Sequence, residues 1–456
     1  MNRPCFFILF LVATAFAHGA EKQPNIILLL ADDIGIDGFG CYGGTSYPTP
    51  RIDELAKSGL RFTYAYSQPL CTPTRVQIMT GKYNHRNWTY FGILDPKEKT
   101  FGHRLQEAGY KTMIAGKWQL QSYDPPDFPN ADRRRGTGMK ITEAGFDEWS
   151  QFHAWNTEDK GSRYPDPKMD NSGEIEQFDG KYGPDVWVDQ IGDFLERHKD
   201  GDSPMFVYHA MCLPHWPFNP TPESAAWKNP NRRYEESTEF FPDMMAYLDK
   251  VVGQIVDKVD ALGLRENTLI LFYADNGTDR RITSKMGDVE IPGGKALPIQ
   301  SGIRVPLIAN WPGKVPAGET CDDLVDASDF LPTLAHLAGI EDTSGWNFDG
   351  QSFAPQLFGK PHPKPREWCF FWYDPRPGWD KEKYGRSVFA LNKTHKLFRD
   401  GRFFQIDPLL PFEAEITGDL SKEETAIKAE LQRVIDAMMK DGEPPLVDAF
   451  GDPVKE

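Results

Sequence analysis

Two short acidic runs each end an apolar stretch: Asp32-Asp33 follows "NIILLLA" (25–31) and Asp275-Asn276-Gly277 follows "TLILFYA" (268–274). Three carboxylates and an amide oxygen gathered in one place repel one another unless a hard cation lies among them, and oxygen-only ligation selects Ca2+ or Mg2+. The same residue types also make ordinary turns after strands, so neither pair defines a site alone. A second set adds positive charge and a titratable ring. Lys117 follows "YKTMIAG" (110–116), His215 follows "MFVYHAMCLP" (205–214), and Lys295 ends "GGK" (293–295). A third element is "CTPTRVQIMTG" (71–81). Pro73 suits a first helical turn, which places Cys71 and its neighbours at a helix N-terminus, where free backbone N–H groups and the dipole favour an anion. Arg75, one turn in, adds a planar fork suited to sulfate or phosphate oxygens.

Positioning these groups requires an α/β protein. Short apolar runs alternate with helical patterns, without internal repeats or low-complexity tracts. In open α/β sheets ligands bind beyond the carboxyl ends of the strands, so the endings at Asp32, Lys117, His215 and Asp275 are expected to share one crevice. After "DGQSFAPQLFG" (349–359) the pattern changes to "WCFFWY", "SVFALN", "HKLFRD" and "RFFQID", which predict a small antiparallel sheet, followed by a charged helix over about 421–440. The stretch 121–184, rich in Asp, Pro, Gly and aromatic residues, is expected to form loops over the crevice. Trp155, Trp216, Trp346 and Trp379 are candidates to stack on sugar rings.

Length and composition fit one large domain with a smaller one: 456 residues, 39% of them hydrophobic. A net charge of −16 argues against a nucleic-acid partner, and the clusters Arg133-Arg134-Arg135 and Arg280-Arg281 are expected on loop surfaces. The first twenty residues carry Arg3, an apolar stretch from Cys5 to Ala17 and small residues before Glu21. This is the pattern of an export signal, too short for a spanning helix, so a periplasmic or extracellular protein without stable membrane insertion is expected. Five cysteines remain beyond it, an odd number for an exported chain.

The motif Cys71-Thr72-Pro73-Thr74-Arg75, followed by Thr80-Gly81, resembles the signature of the type I sulfatases, in which the cysteine is oxidised after synthesis to Cα-formylglycine. The resemblance continues in order through "ADDIG" (31–35), "GKW" (116–118), "PHWPF" (214–218), "ADNG" (274–277), "GGK" (293–295) and "SGIRVP" (301–306). It implies an alkaline-phosphatase-like fold, a large mixed and mostly parallel sheet flanked by helices with a smaller C-terminal α+β subdomain. The expected division is a signal at 1–20, a catalytic domain at 21–365 and a subdomain at 366–456. It also implies one Ca2+ held by Asp32, Asp33, Asp275, Asn276 and the modified Cys71, and maturation by a formylglycine-generating enzyme. Hydrated formylglycine would attack sulfur. Arg75 would hold it, Lys117 and Lys295 would balance charge on the sulfate oxygens, and His215 would protonate the leaving alcohol. A sulfated carbohydrate is the expected substrate. Phosphodiester or phosphonate-ester hydrolysis, and an unconverted protein that only binds anions or glycans, are the alternatives. One position departs from the family pattern: Gln119 stands where a histidine is common, in reach of substrate but unable to act as a base.

Overall fold

The computed structural model describes residues 22–122, 124–125, 127–152, 161–443 and 452–453; residues 1–20, where an export signal is expected, and Trp155 lie outside them. Strands without a polar face form its centre. In chain order these and their neighbours are β1 (Asn25–Ala31), β2 (Leu60–Tyr66), β3 (Lys111–Gly116), β4 (Glu148–Gln151), β5 (Lys168–Asn171), β6 (Glu174–Gln177), β7 (Met205–Ala210) and β8 (Thr268–Ala274). A hairpin of β9 (Thr283–Met286) and β10 (Val289–Pro292) precedes β11 (Arg304–Asn310) and β12 (Glu319–Asp326). Ten of these make one sheet in the order β12-β2-β11-β8-β1-β7-β3-β4-β5-β6. The block β8-β1-β7-β3-β4 is parallel throughout, and β11 and β5 run against their neighbours. Every residue of β1, β7 and β8 is buried, as covering both faces of a parallel sheet demands.

Helices flank the sheet in two groups. Gly183–His198 and Pro50–Lys57 pack on Phe241–Ala261, and Cys71–Thr80 and Phe101–Glu107 pack on Phe330–Leu337. The long helix shows why: Met244, Leu248, Val251, Ile255 and Val259 recur at helical spacing and are all buried. No helix among the described residues is long and apolar enough to cross a membrane.

The second sheet contains β13 (Cys369–Tyr373), β14 (Ser387–Leu391), β15 (His395–Phe398), β16 (Phe403–Ile406) and β17 (Glu413–Glu415), each antiparallel to the next. Its side chains alternate between two cores. Cys369, Phe371 and Phe389 face Tyr66, Ile303 and Leu324 of the main body, whereas Phe370, Trp372 and Val388 face Leu431, Val434 and Ile435 of the helix Lys422–Met438. A capping box between Ser421 and Glu424 starts that helix.

The described residues of 121–184 hold more regular structure than their composition suggests. They supply β4, β5 and β6, which extend the main sheet at one edge; these four-residue strands are too short for their alternation to stand out among turn residues. Arg134 is also not surface: it is 5% exposed, with Nε 2.5 Å from Asp124 Oδ2 and its guanidinium over the Tyr90 ring. Cys41, Cys71, Cys212, Cys321 and Cys369 are all unbridged.

Candidate active site

Strand register brings the acidic endings together. Ala31 of β1 pairs with Ala274 of β8, so Asp32 and Asp275 leave the sheet side by side. Asp275 N donates to Ala31 O at 3.0 Å, and Asp33 N donates to Asp275 Oδ1 at 3.2 Å. Two strands over, Gly116 of β3 pairs with Ala210 of β7, and Lys117 N continues the ladder to Ala210 O at 2.7 Å. The glycine motifs let the loops close in: a Cβ on Gly277 would stand 1.9 Å from Ser301 O, and one on Gly294 2.4 Å from Gly302 N.

Each carboxylate meets a cation. Lys117 Nζ lies 2.7 Å from Asp32 Oδ2, Lys295 Nζ 2.5 Å from Asp33 Oδ2, and Arg75 Nη2 2.9 Å from Asp275 Oδ2. Arg75 comes from the Cys71–Thr80 helix, which is buried along its whole length and ends on Gly81 in the left-handed conformation. Thr74 Oγ1 ties the same turn to Asp275 O at 2.5 Å. Asn276 Nδ2 donates to Asp33 Oδ1 at 2.9 Å, and His215 Nε2 stands 3.6 Å from Asp33 Oδ2. Cys71, 6% exposed, packs with Leu70, Phe91, Ala296 and Tyr373 at the helix start.

The carboxylates are under electrostatic stress. Burial, then the charge of Asp32, pushes Asp275 up to about 7. Burial also raises Asp33 against the pull of Lys295. At Asp32 burial is overcome by Lys117, His215, Arg75 and Lys295, which hold its carboxyl below the usual carboxylate range. Lys117 is raised, the Asp32 charge prevailing over burial. Asp32 Oδ1 and Asn276 Oδ1 are buried with no hydrogen-bond partner among the described residues. Asp32, Asp33 and His215 each present a ligand atom within 4.8 Å of the others. Two orphaned oxygens between mutually repelling carboxylates fit a hard cation.

His215 is held well below its ordinary range, first by burial and then by Lys295. Its Nδ1 lies 3.2 Å from Arg163 Nη1 and also contacts Trp216 O. Arg163 can only donate and the carbonyl can only accept, so the two contacts select opposite tautomers. Arg163, 8% exposed in the 121–184 segment, gave no signal in the sequence.

The second sheet reaches the site through the loop bearing Lys295. Ala296, with φ +69, is held by its N–H to Pro69 O at 2.7 Å and by Tyr373 Oη donating to Ala296 O at 3.1 Å. Lys396, fully buried on β15, donates to Pro298 O at 2.7 Å and pairs with Glu413. Gln119, 6% exposed, stands two residues after Lys117 with φ +43. Of the tryptophans, Trp216 and Trp379 are 40% and 39% exposed, and Trp346 lies against the Arg104 guanidinium.

A strand-end carboxylate cluster facing a buried helix start, in a mostly parallel sheet with an antiparallel subdomain, is an architecture shared with solved sulfatase structures. The chain belongs to the sulfatase family, which it matches over residues 24–340, and is a sulfuric ester hydrolase; residues 295–401 also match the C-terminal region of N-sulphoglucosamine sulphohydrolase. It is 31% identical over 399 residues to arylsulfatase A of Homo sapiens, covering 84% of this chain and 75% of that one. It is 28% identical over 373 residues to an ulvan-active sulfatase of Formosa agariphila, covering 77% and 68%. The solved structure of Ps i-CgsB in complex with k-i-k-neocarrahexaose shares the fold, with a TM-score of 0.72 at 24% identity over 94% of this chain and 95% of that one.

Proposed function

We propose that the protein is an exported sulfatase that hydrolyses sulfate esters of carbohydrates, through a formylglycine made from Cys71 and one bound Ca2+. The observation that carries this reading is the meeting of Asp32, Asp33, Asp275 and Asn276 with Arg75, Lys117 and Lys295 at the Cys71 helix start. Export rests on the N-terminal pattern, and the carbohydrate on the ulvan-active relative and the exposed Trp216 and Trp379. The division into 21–365 and 366–456 belongs to the same reading, as does a formylglycine-generating enzyme as maturation partner.

Asp32, Asp33, Asp275, Asn276 and residue 71 are the residues that would hold Ca2+. Bound there, the ion would supply positive charge that acidifies a neighbouring hydroxyl, and formylglycine, as its hydrate, would supply that hydroxyl as the nucleophile. The chain's own side chains do the rest. Arg75, fixed by Asp275, orients residue 71. Lys117 and Lys295 project ammonium groups toward the sulfate oxygens, where charge grows as the ester bond breaks. His215 offers an N–H to the leaving alcohol oxygen.

Peptide mass spectrometry across residue 71, in protein from its native host, tests the modification. Turnover of nitrophenyl sulfate beside nitrophenyl phosphodiesters and phosphonates tests the reaction. An aldehyde at residue 71 and at least tenfold preference for the sulfate are expected. Retained turnover in Cys71→Ala, or preference for the diester, overturns the reading.

A further inference from the structure

Lys295, one of the cations assigned to the ester sulfate, sits in a turn that its own residues would not choose. Leu297 N donates to Gly294 O at 2.9 Å and closes a four-residue turn, with Lys295 second and Ala296 third. Ala296 has φ +69, the left-handed region, where turns of this kind place glycine or asparagine. A residue with a Cβ is strained there. The strain is held from two sides. From the main body, Lys295 N donates to Thr278 O at 3.0 Å, just past Asp275 and Asn276, and Ala296 N donates to Pro69 O at 2.7 Å, two residues before Cys71. From the second sheet, Tyr373 Oη donates to Ala296 O at 3.1 Å and Lys396 Nζ donates to Pro298 O at 2.7 Å. Because the Ala296 N–H pins the peptide that joins it to Lys295, φ cannot relax by that peptide simply turning over. Any relaxation shifts Lys295 itself, whose Nζ lies 2.5 Å from Asp33 Oδ2.

We infer that Tyr373 is a positioning residue for Lys295: its hydroxyl keeps Ala296 in the strained turn, and the turn aims the Lys295 ammonium. The inference rests on the sulfatase reading, which gives Lys295 its task on the sulfate oxygens, and adds the group that aims it. Tyr373 is 2% exposed at the end of β13 and packs in one cluster with Leu70, Cys71, Phe91 and Ala296, so its ring is fixed. Filling that space needs no hydroxyl. Phe371, two residues earlier on the same face of the strand, packs on the main body as a plain ring. The tyrosine oxygen is what reaches the turn. The antiparallel sheet thereby takes part in the reaction through Ala296 and Lys295, without a side chain of its own on the substrate.

A double-mutant cycle between Tyr373→Phe and Lys295→Met tests this. The readouts are nitrophenyl sulfate turnover, with residue 71 fully converted, and calorimetric binding of inorganic sulfate. Tyr373→Phe removes one oxygen and leaves the ring in its cluster. In otherwise wild-type protein it should lower both kcat/KM and sulfate affinity about tenfold, the scale of a buried carbonyl that loses its donor. In Lys295→Met it should change neither by more than about twofold, because a group that acts through Lys295 has nothing left to act on. Ala296→Gly removes the strain at positive φ, so Tyr373→Phe/Ala296→Gly should regain most of the loss. An unchanged Tyr373→Phe, an equal loss with and without Lys295, or no recovery from Ala296→Gly overturns the inference. A wild type that binds sulfate but does not turn over nitrophenyl sulfate counts instead against the sulfatase reading, and sulfate binding by the same variants still decides the role of Tyr373.

Discussion

Gln119 gives the sharpest prediction about rate. The groups assigned to attack on sulfur, Arg75, Lys117, Lys295 and His215, are all in place, so release of the alcohol is expected to be fast. Departure of sulfate from residue 71 requires a further proton transfer, and a positioned base contributes about 10²–10⁴-fold to such a step, or about 3–5 kcal/mol. A carboxamide cannot accept that proton. Gln119 stands two residues after Lys117, whose ammonium is fixed 2.7 Å from Asp32, and the intervening Trp118 is pinned by its Nε1 to Met139 O at 2.9 Å. The backbone that carries Gln119 is thus fixed directly after Lys117. Its φ of +43 also lies in the left-handed region, which histidine adopts more readily than most side chains, so Gln119→His fits the backbone. Stopped-flow traces with a chromogenic aryl sulfate, on fully converted protein, should show a burst approaching one alcohol per active site. A steady phase at least a hundredfold slower should follow, with sulfate retained on the quenched peptide carrying residue 71. Gln119→His should speed the slow phase at least tenfold. A linear trace from time zero with no retained sulfate refutes the reasoning and places a base elsewhere in the crevice.

Asp275→Asn should lower turnover at least a hundredfold and abolish any rise in melting temperature on adding Ca2+; normal turnover in both chelated wild type and this variant would exclude a metal at the strand ends. Lys396→Met leaves Glu413 buried without its cation and should cost about 3–5 kcal/mol in urea unfolding, most of it recovered in Lys396→Met/Glu413→Leu. Burial, only partly offset by Glu413, holds the Lys396 ammonium near 8 in the folded protein, so the unfolded chain binds more protons between about pH 8 and 10 and wild-type stability gains from this group as pH rises. The deficit of Lys396→Met should therefore widen by about 2 kcal/mol across that range; a constant deficit would count against a depressed lysine.

The central strands were legible because a strand covered on both faces has to be apolar along its length. "NIILLLA" and "TLILFYA" coincide with β1 and β8 residue for residue. The second sheet was legible for a related reason, since aromatic residues alternate between two cores in β13. Asp32, Asp275 and Lys117 could be placed together because each follows directly on a strand of the parallel block. The edge strands β4 to β6 were hidden by their brevity and polar composition. Arg163 was invisible for a different reason. It neither ends a strand nor sits in a motif, and it reaches the site only through packing between segments far apart in the chain.

The complete burial of the Cys71–Thr80 helix sets an order of events. The motif that would recruit a modifying enzyme spans the first half of that helix, with Arg75 only 2% exposed and locked to a residue 200 positions later. Another protein's active site cannot grip those five residues once β8 has joined the sheet. Under the proposed reading, oxidation of Cys71 competes with folding: chain that closes first is stable, correctly shaped and permanently inert. The active fraction of a preparation is then decided during synthesis, and raising expression without raising the modifying enzyme would enrich the inert form.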